Sequence, residues 1–305
     1  MKKKSEWVDQ TLMRAFETEG TDAHRLCTTD DGWVERFGRE ILISYRKPAA
    51  RDKFVLDLYF WKSSVGFDFG RVFARFLPKK NEEREMPRLL FGDADDNLQT
   101  TAMERFLKYK IDFAAGYSVG LFVDQRENRR YIRDISPKRV LNCFAYTCSF
   151  SVAAASVGAQ TVNIDLSKKS LARGRENFGL NSLPTNDHRF MADDVLSVLP
   201  RLARKGEKFD VIILDPPTFS RSHRGKPFHV EKDFEDLLLA ALEIAERNGH
   251  ILLSSNCSTL REKGLEVMAR YCLKVTRRAG RFLRPSPLPD FPSGAAASTI
   301  WLALR

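Results

Sequence analysis

Cysteine is scarce in this chain and follows no pattern. The five present, Cys27, Cys143, Cys148, Cys257 and Cys272, are odd in number and lack paired close spacings, which argues against a disulfide scaffold. The five histidines are scattered and no Cys/His set has zinc-ligand spacing, so no metal is expected. Internal repeats and low-complexity tracts are also lacking. Long uncharged runs are nearly absent: residues 140–159 match a membrane span in length, but Asn142, Thr147 and several serines interrupt them, so no membrane segment is expected. Residues 1–16 are charged and amphipathic, unlike a secretory leader, which predicts the reducing cytoplasm. Acidic residues are in deficit, 40 Asp and Glu against 50 Lys and Arg for a net charge of +10, and such a balance suits a polyanionic partner, nucleic acid being the commonest.

At 305 residues the chain is long enough for a large domain and an accessory. Residues 1–95 read as a small β-rich accessory domain, with strand-like runs at 40–45 and 54–61 punctuated by glycine and proline. A charged stretch at 78–87 suits a linker, and 97–110 has helical spacing. From residue 139 strands alternate with helical segments, the pattern of a parallel sheet wound on both faces. Strands are expected at 139–143, 161–165, 188–191, 210–214, 250–255, 281–284 and 299–304. The last two have no long helix between them, which makes them an expected antiparallel pair closing the sheet. Residues 96–305 are thus the α/β domain, a Rossmann-like, doubly wound sheet.

The most informative stretch is 209–220, FDVIILDPPTFS. An unbroken apolar run is the mark of a central parallel strand, and such sheets bind ligands beyond the carboxyl ends of their strands. Asp215 stands at that end. Pro216 and Pro217 stiffen the turn, leaving carbonyls with little freedom to accept hydrogen bonds from a planar amine.

Three further segments stand at matching stations. The first strand runs into Phe144, Ala145, Tyr146, Thr147, Cys148 and Ser149, a tight turn before a helix of small residues, where a nucleotide-type ligand meets the backbone. Asp165 ends the second strand, the position from which a carboxylate accepts both ribose hydroxyls. Asp193 and Asp194 follow the third; one is placed to accept from an adenine amine and the other to cap the next helix.

The ordered set FAYTCSF, NID, ADD and DPPTFS resembles class I S-adenosylmethionine-dependent methyltransferases. With GLFVDQRENRRYI at 120–132, it is similar to the bacterial ribosomal-RNA large-subunit methyltransferases of the cytosine-C5 and guanine-N7 types. That resemblance implies a seven-stranded methyltransferase sheet and S-adenosyl-L-methionine as cofactor. It implies ribose binding at Asp165 with Leu166 beside it, adenine binding at Asp193 or Asp194, and contacts to the methionine and sugar from residues 144–147 and Ser149. Asp215 and Pro216 would border the cofactor, and Arg126 would line the entrance; its alternative is an exposed helical face shared with Arg129, Arg130 and Arg133. Two departures are visible: Cys148 and Ser149 stand where the family has glycine, and the accessory domain lacks a clear PUA pattern.

The methyl acceptor turns on Cys257. Cytosine C5 is a poor nucleophile, and a cysteine thiolate adding to C6 makes it enamine-like, whereas guanine N7 needs no such help. Cys257 follows the fifth strand, where the resemblance places the nucleophile of the cytosine-C5 type; Thr218 in DPPTFS is closer to the guanine-N7 type. Asp215 would bond cytosine N3 and its amine, Pro217 and Phe219 would contact the base, with Phe219 stacking on it, and Arg221 in the basic loop 220–226 would bind RNA phosphate. The expectation is a methyltransferase acting on large-subunit ribosomal RNA, at cytosine C5 rather than guanine N7. A methyltransferase for a protein or small molecule, and a non-catalytic RNA-binding module, are the competing readings.

Overall fold

The computed structural model describes residues 7–78, 82–94, 97–220 and 227–305. The chain divides into two compact units, Met1–Asp124 with Pro287–Ala296, and Gln125–Ser286 with Ala297–Arg305. The expected division at 95/96 falls inside the first unit.

The first unit comprises α1 (Gln10–Thr18), β1 (Ala23–Thr29), β2 (Gly32–Phe37), β3 (Glu40–Tyr45), α2 (Pro48–Val65), β4 (Val72–Phe76), β5 (Arg88–Phe91), β6 (Gln99–Glu104) and β7 (Leu107–Asp112). Strands β1 to β5 form one sheet in sequence order. Neighbours are antiparallel except β3 and β4, which run parallel. A parallel neighbour cannot be reached by a hairpin and requires a crossover, and α2 supplies it. The strand expected at 54–61 is therefore helix. Its aromatic, branched composition suggests β structure, but Phe54, Leu58 and Trp61 are buried while Leu56, Tyr59 and Phe60 are exposed, a helical rather than alternating period.

A second correction concerns 97–110, where helical spacing gives way to the β6–β7 hairpin. The turn residues Arg105 and Phe106 have φ of 49° and 67°, positions where hairpins favour Asn-Gly. Without that signal the turn is invisible in sequence. Room for Phe106 comes from elsewhere: a Cβ on Gly20 would lie 2.4 Å from its ring.

The second unit comprises α3 (Arg126–Ile135), β8 (Arg139–Cys143), α4 (Ser149–Ala155), β9 (Gln160–Asp165), α5 (Lys168–Leu180), β10 (Arg189–Ala192), α6 (Val195–Arg204), β11 (Phe209–Leu214), β12 (Phe219–Ser220), β13 (Phe228–His229), α7 (Val230–Ile244), β14 (Ala245–Ser255), α8 (Glu262–Val275), β15 (Gly280–Leu283) and β16 (Ser298–Leu304). Its seven-stranded sheet has the order β10-β9-β8-β11-β14-β16-β15. The first five strands are parallel, and β15 and β16 close the edge antiparallel, as the missing helix between them implied.

Alternation along the strands builds a core on each face. Leu141, Cys143, Ile212, Leu214, Ile251 and Leu253 pack with residues of α6, α7 and α8. Val140, Val211, Ile213, Leu252 and Trp301 pack with Ile132 of α3 and Phe150 and Ala154 of α4. Both faces are covered, so the central strands are apolar throughout. The second unit is thus the α/β, doubly wound sheet expected from the sequence, and the N-terminal unit is rich in β structure. No helix among the described residues is long and apolar enough to cross a membrane.

Candidate active site

Strand register puts every motif at one edge. Leu214 lies beside Cys143 and Leu253, Cys143 beside Ile164, and Ala192 beside Asp165. The exits at Asp193, Asp165, Phe144, Asp215 and Asn256 consequently share the carboxyl edge of the sheet. The strand order reverses between β8 and β11, and the crevice at such a switch point is where doubly wound sheets take their ligands.

The loop after β8 is the most strained segment of this edge. Phe144, Tyr146 and Cys148 have φ of 58°, 47° and 59°, a region costing on the order of 1 kcal/mol or more for each non-glycine residue. Several bonds hold it. The Ala145 N–H donates to the Ile164 carbonyl at 2.9 Å and the Cys148 N–H to the Ala145 carbonyl at 2.7 Å. The Tyr146 N–H donates to Asp165 Oδ2 at 2.8 Å, and Asn177 Nδ2 on α5 donates to the Thr147 carbonyl at 2.9 Å. Cys148 stands in left-handed backbone that suits glycine, and the compensation is on α5: a Cβ on Gly174 would lie 2.5 Å from Cys148 Sγ. Burial pushes the Cys143 and Cys148 thiols up, with the Asp165 carboxylate adding to the effect at Cys148. Both are packing residues with unreactive thiols.

Asp165 is half-buried at the end of β9, and Leu166 beside it is exposed. Its Oδ1 accepts the Ser167 N–H at 2.8 Å. Burial raises the carboxyl above the ordinary Asp value, partly offset by the bonds from Ser167 and Tyr146. Each oxygen accepts one of these bonds and keeps capacity for another.

The pair after β10 divides its work. Asp194 is the N-cap of α6, its side chain accepting the Ser197 N–H at 3.0 Å. Asp193 accepts the Asp194 N–H at 2.8 Å and pairs with Arg201. The hydrogen bond from Arg201 holds its carboxyl below the ordinary value.

Beyond β11, Asp215 is half-buried, Pro216 buried, and Pro217 and Phe219 exposed. Phe219 faces His229 across the β12–β13 pair, ring centroids 4.8 Å apart, and Phe228 packs on Phe144 at 5.5 Å. Arg221 and the rest of the basic loop through 226 lie outside the described residues.

Helix α3 approaches the same edge. Gln125 Nε2 donates to Ser254 Oγ at 3.0 Å, Asn128 Nδ2 to Gln125 Oε1 at 2.7 Å, and Trp301 Nε1 to Asn128 Oδ1 at 2.8 Å. This buried chain ties α3 to β14 and β16 and was not legible in the sequence, because its members are distant along the chain. Arg126 and Arg129 are each 1% exposed, so the solvated-face alternative does not hold for them. Arg129 Nη1 donates to Ser149 Oγ at 3.4 Å.

Cys257 lies just past β14 and is half-buried. Its N–H donates to Ser255 Oγ at 3.1 Å. Its sulfur is 3.0 Å from Thr259 Oγ1 and donates to Glu231 Oε1 at 3.6 Å. Thr259 also donates to Glu231. Sequence reasoning overlooked Glu231, since nothing local marks the first turn of α7 as part of a site.

Comparison with known proteins follows the same geometry. Residues 87–300 match the model of the S-adenosylmethionine-dependent methyltransferase family. A ribosomal RNA large subunit methyltransferase I from Aeromonas salmonicida is 36% identical over 222 residues, 72% of this chain and 55% of the relative. The protein of that name from Photobacterium profundum is 32% identical, with the same coverage of 72% and 55%. The chain spans about half the length of these curated relatives. A SAM-dependent methyltransferase structure from Agrobacterium tumefaciens aligns with a TM-score of 0.72 at 19% identity, covering 93% of this chain and 90% of that one. Another chain, solved in complex with SAH, aligns with a TM-score of 0.78 at 24% identity, covering 99% and 83%. Identities this low speak to the fold alone.

Proposed function

Because this chain belongs to the S-adenosylmethionine-dependent methyltransferase family, we propose that it methylates a base of large-subunit ribosomal RNA, with cytosine C5 the preferred atom. The observation that carries the choice of atom is Cys257, a half-buried thiol at the carboxyl edge of β14, the strand paired with the one ending at Asp215. The relatives' names, together with the net charge of +10, support the RNA substrate.

The residues along the edge fit the cofactor. Asp165 has acceptor capacity for the ribose hydroxyls, Leu166 offers apolar surface beside it, and Asp193 is the acid left for adenine once Asp194 serves as cap. Residues 144–147 and Ser149 would border the methionine and sugar, with Arg126 lining the entrance and Asp215 and Pro216 bordering the cofactor. When bound, the cofactor supplies an electrophilic methyl group, and the protein's part is to position the acceptor in line with it.

Cys257 would add to C6 of the cytosine while Asp215, as the neutral acid, donates to N3 and accepts from the exocyclic amine. Pro217 and Phe219 form the exposed surface on which the extruded base would rest. Guanine N7 is the second reading, favoured by Thr218 after the proline pair.

Nucleoside mass spectrometry of large-subunit RNA from cells with and without the protein tests this reading. Loss of one 5-methylcytidine is the expected result; loss of one 7-methylguanosine would transfer the proposal to guanine N7, and no change would direct it to a protein or small-molecule acceptor. Cys257→Ala is expected to abolish C5 transfer with cofactor affinity near normal by calorimetry.

A further inference from the structure

We propose that Glu231 is the catalytic base that removes the C5 proton of the cytosine after methyl transfer. The inference rests on the cytosine-C5 reading and assigns the group that this chemistry still lacks.

Three observations place the carboxylate. Glu231 Oε1 accepts from Cys257 Sγ at 3.6 Å, and Thr259 Oγ1, itself 3.0 Å from that sulfur, donates to the same oxygen. The backbone carrying Glu231 is anchored: Phe228 and Val230 are buried, and the His229 N–H donates to Asp233 Oδ2 at 2.6 Å. Glu231 itself is exposed, so it can exchange a proton with water.

The steps balance as follows. Cys257 enters as the thiolate, its proton released to water, and forms the S–C6 bond. The C5=C6 pair then forms the C5–CH3 bond, while the donor's S–CH3 bond breaks and its electrons stay on the donor sulfur. C5 now carries both methyl and hydrogen and lies one bond beyond the atom bonded to Cys257 Sγ. Glu231 takes the C5 proton, the C–H pair restores C5=C6, and the C6–S bond breaks with its electrons returning to Cys257. Glu231 passes its proton to water and the Cys257 thiolate takes one back, restoring the thiol, so the cycle releases a single net proton. Thr259 is a positioning residue, holding the carboxylate beside the sulfur until the base enters.

The test uses the full chain, large-subunit RNA from cells lacking the protein, and methyl-labelled S-adenosylmethionine. For Glu231→Gln, turnover should fall about 100-fold or more, the usual scale for losing a general base. A methyl-labelled protein–RNA adduct that resists denaturing detergent should accumulate, and Cys257→Ala in the same background should remove it. Turnover within about threefold of the unaltered protein, or lost turnover without an adduct, overturns the assignment of Glu231. If Cys257→Ala alone keeps transferring methyl groups, or the product is 7-methylguanosine, the cytosine-C5 reading itself has failed. Calorimetry with the cofactor distinguishes a folded Glu231→Gln protein from a damaged one.

Discussion

The hairpin turn at Arg105 and Phe106 and the loop from Phe144 to Cys148 both hold side chains in left-handed backbone where glycine is usual, and both rely on a glycine placed elsewhere. In the hairpin, Gly20 leaves space for the Phe106 ring; in the loop, Gly174 leaves space for Cys148. The two differ in what the strained backbone accomplishes. Two successive left-handed residues match the twist of the strands they join, so the hairpin gains regular pairing from β6 to β7. Three left-handed residues at Phe144, Tyr146 and Cys148 join no hairpin, and they lie at the switch point of the sheet. Strain serves the fold in one unit and shapes the candidate site in the other.

Breaking the first member should cost the most stability. Gly20→Ala adds a Cβ at 2.4 Å from Phe106, at a φ of +62°. Overpacking and backbone strain together predict a loss of about 2–4 kcal/mol, seen as a lower urea midpoint, with cofactor affinity unchanged. Equal loss of cofactor affinity would erase the distinction between the two regions.

Gly174→Ala is the matching change at the site. Its Cβ would meet Cys148 Sγ at 2.5 Å, a loss of about 1–3 kcal/mol. Displacement of the loop should also weaken cofactor binding about tenfold, or roughly 1.4 kcal/mol, by calorimetry. Adding Cys148→Gly should restore both, because it removes the side chain that the new Cβ would meet; failure of that rescue would separate Gly174 from Cys148.

The smallest expected effect sharpens the comparison through pH. Burial raises the Asp165 carboxyl, so on acidification it takes up a proton at a higher pH than an exposed Asp. Cofactor affinity should fall as pH drops through that raised value, and the slope should flatten in Asp165→Asn. For stability without cofactor the sign reverses. The ionised, buried carboxylate costs stability above its folded value, and that cost is relieved as pH falls through it toward the unfolded value. Asp22, close to Gly20, is likewise raised by burial, so the stability trend is shared and only the loss of cofactor affinity separates the two regions; calorimetry across pH would reveal it.

Much of the sheet was legible because its central strands are continuously apolar and bounded by acids and turns. Expected strands at 139–143 and 210–214 meet β8 at Arg139–Cys143 and β11 at Phe209–Leu214. The N-terminal unit was less legible. Residues 54–61 are rich in residues suited to strands, yet a parallel β3–β4 pair demanded a crossover helix. The β6–β7 turn carried no glycine to announce it.

The doubly wound sheet, the order of its motifs and the acids at their ends are written locally in the chain, because strand periodicity and turn chemistry are local properties. Tertiary structure decided which of Asp193 and Asp194 caps a helix, that Arg126 is buried, that Gly174 accommodates Cys148, and that Glu231 meets Cys257. Those outcomes depend on residues brought together by sheet register and helix packing. No local pattern encodes which distant side chain will occupy the other side of a contact.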